Sequence, residues 1–212
     1  MLLLTTHAPT GPHAELADIT VPVMQAYATR HGYALQVLRH EYCTASTIEF
    51  LEVLKLSLDT HDAVLTLGAD VLIMNHRIRF EDISHAPVSL SREHNSWWPI
   101  NNDVMIWRRN PSTIELIDAI ISHAPDWQDL RWQWQQWLWN LLQDSPKARN
   151  TIDILPARQL QSTVMQGPSC FQLGDFALHF LGLPIDTKIK LATEFLPLTG
   201  DPLYHAKATL PA

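Results

Sequence analysis

The stretch from Asp62 to Asn75 constrains the fold more than any other part of the chain. It is an apolar run bounded by polar residues, which is typical of a strand buried on both faces of a sheet. Such a strand predicts an α/β fold, in which ligands bind at the carboxyl ends of the strands. Asp70 is predicted to stand at this strand end and is the first candidate for a ligand-binding carboxylate. The competing interpretation is a turn or helix-cap residue.

Length and composition limit the function classes. A chain of 212 residues, 46% hydrophobic and 17% charged, predicts one folded domain over residues 1–212. A formal net charge of -7 disfavours a long surface for nucleic-acid phosphates. The only cysteines, Cys43 and Cys170, exclude a disulfide framework and a four-thiolate zinc site. The sequence shows no signal-peptide pattern and no run that could span a bilayer, so we expect a soluble cytoplasmic protein.

The rest of the chain alternates strand and helix patterns, which predicts a mixed, mostly parallel sheet flanked by helices. Gly32 is expected to end the first helix, Ser46 and Glu49 to form a capping box for the second, and Asn110 to cap the third. Besides the run at 62–75, strands are predicted at 2–4, 34–38, 87–92, 102–107, 152–156 and 176–180, and a last helix at 186–195.

Residues 126–143 are unusually rich in tryptophan. About half of the aromatic side chains share a helical face with Leu130 and Leu141, so core packing is the favoured interpretation. Exposed tryptophans would instead bind a sugar ring, a base or another protein. The tryptophans are Trp127, Trp132, Trp134, Trp137 and Trp139. The polar stretch from Ala157 to Gln172 is predicted to be a loop, either functional or mobile.

Six segments carry motifs in a recognisable order: residues 28–33, 67–75, 101–108, 135–142, 154–158 and 174–182. They are similar to the patterns YAxxHGY, LDADxLIMN, NxGVFLIRN, EQDALxxLL, ILPQR and GDFxxHFAG. Together they resemble the galactosyl, mannosyl and xylosyl transferases related to the yeast mannan and plant xyloglucan enzymes. The resemblance covers nearly the whole domain. It implies a GT-A fold, which is a single α/β domain that binds a nucleotide-diphosphate sugar and a divalent metal ion.

The resemblance also implies roles for individual residues. Asp70 and His179 correspond to the ligands of Mn²⁺ or Mg²⁺, a hard cation that neutralises the leaving diphosphate. Asn102, Asp103 and Gln136 would contact the donor sugar and serve catalysis. The remaining candidates would bind the nucleotide sugar. Thr5, Thr6 and His7 follow the first strand and would border the nucleoside, Arg92 and Gly182 would lie near the donor, and Lys188 or Lys190, after the last metal ligand, would close over the diphosphate charge. The alternatives without a functional role are a core histidine for His179, an exposed helix residue for Gln136 and a surface ion pair for Arg92.

The chain departs from the family pattern at the positions that matter most for a metal. Gly68 replaces the first Asp of the Asp-x-Asp motif, so we expect weaker metal binding or a donor site without a permanent metal. Asp103 replaces the glycine of NxGV and brings a new carboxylate close to the expected donor sugar. Gln135 and Trp137 replace two acidic positions and leave Gln136 as the polar group of that motif.

The leading hypothesis is a metal-assisted, retaining glycosyltransferase. It would move a hexose or pentose from a nucleotide sugar, with a UDP-sugar favoured, to the hydroxyl of a saccharide or another acceptor. One alternative is a nucleotide-sugar-binding module that has lost turnover, which the glycine at position 68 favours. Another is transfer to hydroxylated bases of modified DNA, which the net charge disfavours. The resemblance, together with the lack of a membrane anchor, leads us to expect a phage or bacterial source.

Overall fold

A six-stranded mixed sheet with helices on both faces organises the protein. The computed structural model describes residues 1–41, 43–93, 99–131 and 133–200. In spatial order the strands are β2 (Ala34–Arg39), β1 (Leu2–His7), β3 (Ala63–Gly68), β6 (Ile100–Arg108), β5 (Val88–Arg92) and β7 (Ile152–Leu155).

Strand directions decide which residues reach the functional edge. β1 runs parallel to both β2 and β3, so these three strands end on the same side of the sheet. β6 runs antiparallel to β3 and to β5, and β5 is parallel to β7. The amino-terminal half of β6 therefore lies beside the carboxyl end of β3, with Leu67 opposite Val104. The predicted fold class, a mixed α/β sheet flanked by helices, is confirmed.

The strand predicted within 62–75 ends close to Asp70, as expected, but the second strand that follows Asp70 was not predicted. β3 ends at Gly68, a turn follows at Ala69 and Asp70, and β4 (Val71–Ile73) belongs to a second sheet with β9 (Ala177–His179) and β8 (Ser162–Thr163). Both halves of the run are buried, so hydrophobicity alone does not reveal the change of sheet. Asp70 accordingly lies in a turn between two sheets, and β8 lies within the stretch that was predicted to be loop.

The helices largely follow their sequence signals. Gly32, in the left-handed region at φ 70°, ends the first helix, and the Asn110 side chain accepts a 3.0 Å hydrogen bond from the Ser112 N–H at the start of the third. The predicted capping box is wrong, because the second helix begins before Ser46 and the Ser46 hydroxyl donates to the carbonyl oxygen of Glu41. The helices are α1 (Pro12–His31), α2 (Thr44–Thr60), α3 (Pro111–Ser122), α4 (Ala124–Trp127), α5 (Gln133–Asp144), α6 (Pro146–Thr151) and α7 (Ile185–Phe195), with 3-10 turns at Phe80–Asp82 and Leu196–Leu198.

Two apolar clusters lie on opposite faces of the central sheet. Along β1, Leu3 belongs to the cluster with α1 and α7, whereas Leu2 and Leu4 belong to the cluster with α2, α3 and α5. This alternation follows from the two-residue period of a strand. Among the described tryptophans of 126–143, Trp127 is fully buried and the others are partly buried against the second cluster. Their predicted role in the core is confirmed, while Trp132 lies outside the described residues.

In the described ranges, no helix has both the length and the apolar character needed to cross a membrane.

Candidate active site

Four ionisable side chains converge where β3 ends. Asp70 comes from the turn after β3, Asp103 from β6, His179 from the end of β9 and Lys188 from the first turns of α7. The Lys188 Nζ atom lies 2.5 Å from Asp70 Oδ2, and His179 Nε2 lies 3.4 Å from the same oxygen. His179 Nε2 is also 3.6 Å from Asp103 Oδ2. Two acids and two basic groups thus share one small volume.

Backbone pairing explains why residues so distant in the sequence meet. The antiparallel register of β3 and β6 places Asp103 across from Gly68, one step beyond the pair of Leu67 and Val104. In the second sheet His179 pairs with Val71. The backbone N–H of the following residue, Phe180, donates a 3.0 Å hydrogen bond to the Asp70 carbonyl oxygen. These contacts hold the turn after β3 and the end of β9 in a fixed relation.

Burial and the charges within the cluster shift the pKa values of Asp70, Asp103 and His179. Burial tends to raise the pKa of Asp70, but His179 and Lys188 together outweigh it and hold the pKa below its ordinary value. Burial raises the pKa of Asp103, and repulsion by Asp70 adds to this effect against the attraction of His179. The Asp103 side chain is 42% exposed, so water screens part of these interactions. Burial lowers the pKa of His179, but Asp70 and Asp103 reverse the sign and raise it.

These shifts predict a specific pH dependence of stability. The unfolded pKa of a histidine is about 6.5, and that of folded His179 is higher because Asp70 and Asp103 face its ring, with Lys188 opposing them. Protonated His179 therefore contributes stability that is complete below the unfolded pKa and is lost as pH rises through the folded pKa. Urea unfolding from about pH 6 to about pH 8.5 should show the advantage of the wild type over His179→Gln shrinking with pH. An advantage that stays constant or grows would contradict this expectation.

Two adjoining cavities open at this sheet edge. The larger has a volume of about 360 Å³ and the smaller about 230 Å³, and Thr6, Gly68 and Asp103 line both. The smaller cavity is further lined by His13, Leu16, Ala69 and Asp70. The larger is lined by His40, which follows β2, and by polar and aromatic side chains of α2, β6 and α5, among them Phe50, Asn102, Trp134 and Gln135. An elongated ligand that occupied both cavities would pass directly over the ionisable cluster.

Of the three residues at the end of β1 that were predicted to contact the nucleoside, only Thr6 lines the cavities. Thr6 lines both cavities, and its hydroxyl lies 2.7 Å from His40 Nε2. Thr5 is fully buried, and His7 is buried with Nδ1 donating a 2.6 Å hydrogen bond to the Ala8 carbonyl oxygen. His40 was missed by the sequence reasoning. It directly follows β2, the parallel neighbour of β1, so the rule that strand ends meet at one edge could have found it.

The predicted sugar-contacting residues are only partly brought together. Asn102 and Asp103 line the larger cavity together with three residues of α5, namely Gln133, Trp134 and Gln135. The Gln135 side-chain oxygen accepts a 3.2 Å hydrogen bond from the Asn102 backbone N–H. Gln136 is partly buried and lines neither cavity. One residue along a helix turns the side chain by about 100°, and no motif resolves such a difference.

Of the other residues predicted to bind the nucleotide sugar, some lie at the site and some do not. Lys188 joins the cluster, whereas Lys190 is 75% exposed and its Nζ lies 3.8 Å from Glu194 Oε1. Arg92 is exposed at the end of β5 and lines neither cavity. Gly182 follows β9 in the left-handed region at φ 66°, a conformation that favours glycine. Its contribution is therefore to the path of the backbone between His179 and α7.

The donor atoms present do not fit a divalent metal ion. In the part of the chain that the structure describes, no group of three or more His, Cys, Asp or Glu side chains is arranged to hold one. Asp70 and His179 do face each other, but the Lys188 ammonium occupies the Asp70 oxygen that a cation would take. The ion expected at Asp70 and His179 therefore stays a prediction from the sequence resemblance.

Comparison with known proteins gives likeness in structure only. No protein-family model matches the chain, and a search of curated proteins finds no significantly similar sequence. A glycosyltransferase involved in the glycosylation of the major capsid of PBCV-1 is 14% identical with a TM-score of 0.72, and the match covers 91% of this chain and 98% of that one.

Two further glycosyltransferases are more remote. A Drosophila beta-1,4-galactosyltransferase 7 mutant, in complex with manganese, UDP-Gal and xylobiose, is 16% identical with a TM-score of 0.46 over 85% of this chain and 71% of that one. Mouse xyloside xylosyltransferase 1, in its apo form, is 12% identical with a TM-score of 0.49 over 85% of this chain and 97% of that one. The likeness to the first structure confirms the predicted glycosyltransferase fold of GT-A type.

Proposed function

We propose that this chain is a glycosyltransferase that moves a hexose or pentose from a nucleotide-diphosphate sugar, with a UDP-sugar favoured, to the hydroxyl of a saccharide or a similar acceptor. The observation that carries the proposal is the convergence of Asp70, Asp103, His179 and Lys188 beneath two adjoining cavities. It occurs at the carboxyl edge of the sheet, where α/β folds bind ligands, in a fold shared with a glycosyltransferase. Residues 1–212 would act as one domain.

The two cavities suit the two parts of a nucleotide sugar. The smaller one has an apolar wall at Leu16 and polar groups at Thr6 and His13, which suits a nucleoside. The larger one has the hydrogen-bonding groups of Asn102 and Asp103, which suit the hydroxyls of a sugar. The diphosphate would then cross the cluster between them, within reach of the Lys188 ammonium.

The chemistry requires charge stabilisation at both ends of one bond. The bond between the sugar C1 and the β-phosphate oxygen breaks, and its electron pair leaves on that oxygen. A bond forms between C1 and the acceptor oxygen. In the retaining route that the sequence resemblance predicts, the released phosphate oxygen takes the acceptor proton. Lys188 would stabilise the negative charge on the phosphate, and Asp103 the positive charge that develops at C1.

No step here passes through a metal ion, because the donor atoms present do not fit one. Retention at C1 stays a prediction from the sequence resemblance, and the metal ion that the resemblance predicts is not carried into this proposal. Transfer to a hydroxylated DNA base remains the disfavoured alternative, since a formal net charge of -7 opposes association with a polyanion.

A binding and turnover experiment tests the proposal. We expect calorimetry of the full chain with UDP-, GDP- and ADP-sugars to find one donor class that binds, and a coupled assay to detect its nucleoside diphosphate when sugar acceptors are added. Asp103→Asn should lower the rate of release by about tenfold or more. Lys147→Met, which removes a 73% exposed amine paired with Glu115, is the matched control and should leave the rate unchanged.

The binding and release results distinguish an active glycosyltransferase from a binding module that has lost turnover. Absence of binding for every donor, with and without Mn²⁺, would overturn the proposal. Donor binding without release of nucleoside diphosphate under any acceptor condition would identify the binding module that has lost turnover.

A further inference from the structure

Lys188 and Asp70 form an ion pair at the point where the family pattern places a metal ion. The two atoms are 2.5 Å apart, and the side chains are only 15% and 19% exposed. The same Asp70 oxygen faces His179 Nε2 at 3.4 Å. A cation that used this oxygen would first have to displace a largely buried ammonium group. The pair therefore competes directly with metal binding.

Position 68, where the family pattern has an Asp, has little room for a side chain because Asp70 and Asp103 lie against Gly68. A Cβ atom added to Gly68 would lie 2.8 Å from Asp70 Oδ1 and 3.5 Å from both Cβ and Oδ1 of Asp103. The Asp70 carboxylate cannot easily move away, since Lys188 and His179 contact it. A side chain at position 68 would thus disturb the ion pair, and an acid there would add a third negative charge beside two carboxylates. Glycine at this position is what the ion pair requires.

We propose that the Lys188 ammonium replaces the divalent cation, so that this protein binds the diphosphate of its donor without a metal ion. The proposal rests on the proposed function and names the group that serves its leaving diphosphate. An ammonium has three N–H donors, so one can remain on Asp70 while the others reach phosphate oxygens. Asp70 is then a positioning residue, because it holds the lysine at the site and does not touch the substrate.

The step balances without any further reactant. As the bond between C1 and the β-phosphate oxygen breaks, its electron pair becomes a lone pair on that oxygen. Lys188 donates a hydrogen bond to this oxygen and keeps its three protons throughout. The acceptor oxygen forms the new bond to C1, and its proton passes to the released diphosphate. A single fixed ammonium in a partly desolvated site provides the stabilisation that a hard cation provides elsewhere.

The test measures diphosphate binding with and without metal. The full chain is titrated in a calorimeter with UDP, GDP and ADP, first in EDTA and then with Mn²⁺. We expect one nucleoside diphosphate to bind in EDTA, and Mn²⁺ to change its affinity by less than about threefold, since a bound ion would add charge-assisted contacts worth considerably more. Mn²⁺ alone should give no stoichiometric binding to the nucleotide-free protein.

Variants assign the effect to the ammonium. Lys188→Met should weaken binding in EDTA by about tenfold to a hundredfold, which is the range for a hydrogen bond to a charged group. Lys188→Gln, which can still donate a hydrogen bond to Asp70, is the second variant if Lys188→Met does not fold. Lys188→Arg should retain most of the affinity. Lys147→Met, on an exposed ion pair with Glu115, should bind like the wild type.

The failures of the two proposals are distinguishable. Binding of a nucleoside diphosphate only when Mn²⁺ is present, or unchanged binding in Lys188→Met, would overturn the inference and leave the glycosyltransferase proposal intact. Binding of no nucleoside diphosphate in either condition would overturn both.

Discussion

Asp70→Asn is expected to lower the free energy of unfolding by about 3 kcal/mol, as measured by urea denaturation near neutral pH. The substitution leaves the packing volume nearly unchanged but removes the charge that faces two basic groups. His179, with a side chain only 2% exposed, and Lys188, 15% exposed, would be left beside an amide. The expected cost is at the lower end of the range for a broken buried ion pair, because the flexible lysine stem can turn toward the cavity.

A matched substitution on the surface separates burial from charge. Glu115→Gln breaks another lysine–carboxylate contact, the 2.6 Å pair with Lys147, whose side chains are 57% and 73% exposed. It should cost less than about 1 kcal/mol. If Asp70→Asn proved as mild as Glu115→Gln, the cluster would not depend on Asp70 for its charge balance, and the account of Lys188 as a held ammonium would fail with it.

Trp107→Ala is expected to lower the free energy of unfolding by about 3–5 kcal/mol. Trp107 is fully buried in β6, and its indole N–H donates a 3.0 Å hydrogen bond to the Thr66 hydroxyl of β3. Its ring centroid lies 6.5 Å from that of Trp134, which lines the larger cavity. Truncation therefore creates a void between β6 and α5 and also removes support from the cavity wall. Urea denaturation gives the stability loss, and donor calorimetry gives the effect on the cavity.

The control for Trp107 is a tryptophan with less buried surface. Trp139→Ala removes a ring that packs only partly buried against the same apolar cluster, so its cost should stay below about 2 kcal/mol. Equal losses for the two variants would mean that burial in β6 carries no special weight. In that case the central strands would not be the main source of stability on this face of the sheet.

Local signals were sufficient for most elements of the fold. The period-3.6 pattern of Leu16, Val23 and Tyr27 and the stop at Gly32 predicted α1, and Asn110 predicted the start of α3. Such signals act over one or two turns and therefore survive in any tertiary context. They failed where a choice depended on distant partners. The residues on both sides of Asp70 are largely apolar, but those after it pair with β9, more than a hundred residues away.

At the candidate active site, too, the sequence predicted some features and left others to the tertiary structure. Motif order indicated that Asp70 and His179 meet and placed Asp103 close to the expected donor sugar, and the rule that ligands bind at the carboxyl ends of strands placed Thr6 at the nucleoside. The sequence interpretation selected Gln136, whereas Gln135 lines the cavity, and it did not distinguish Lys188 from Lys190. Neighbouring residues on a helix point in directions about 100° apart, and only the packing of α5 and α7 against the sheet decides which of them faces inward.

The amino-acid sequence by itself determined the α/β class, the order of most strands and helices, and the carboxylate at Asp70, because hydrophobic period, caps and motif order are local or linear properties. The tertiary structure alone decided that a second strand follows Asp70 in another sheet and that Asp103 stands beside Gly68. It also decided that Lys188 is the cation that holds Asp70. These features arise from pairing and charge contacts between segments remote in the chain, and such contacts exist only once the strands have taken their register.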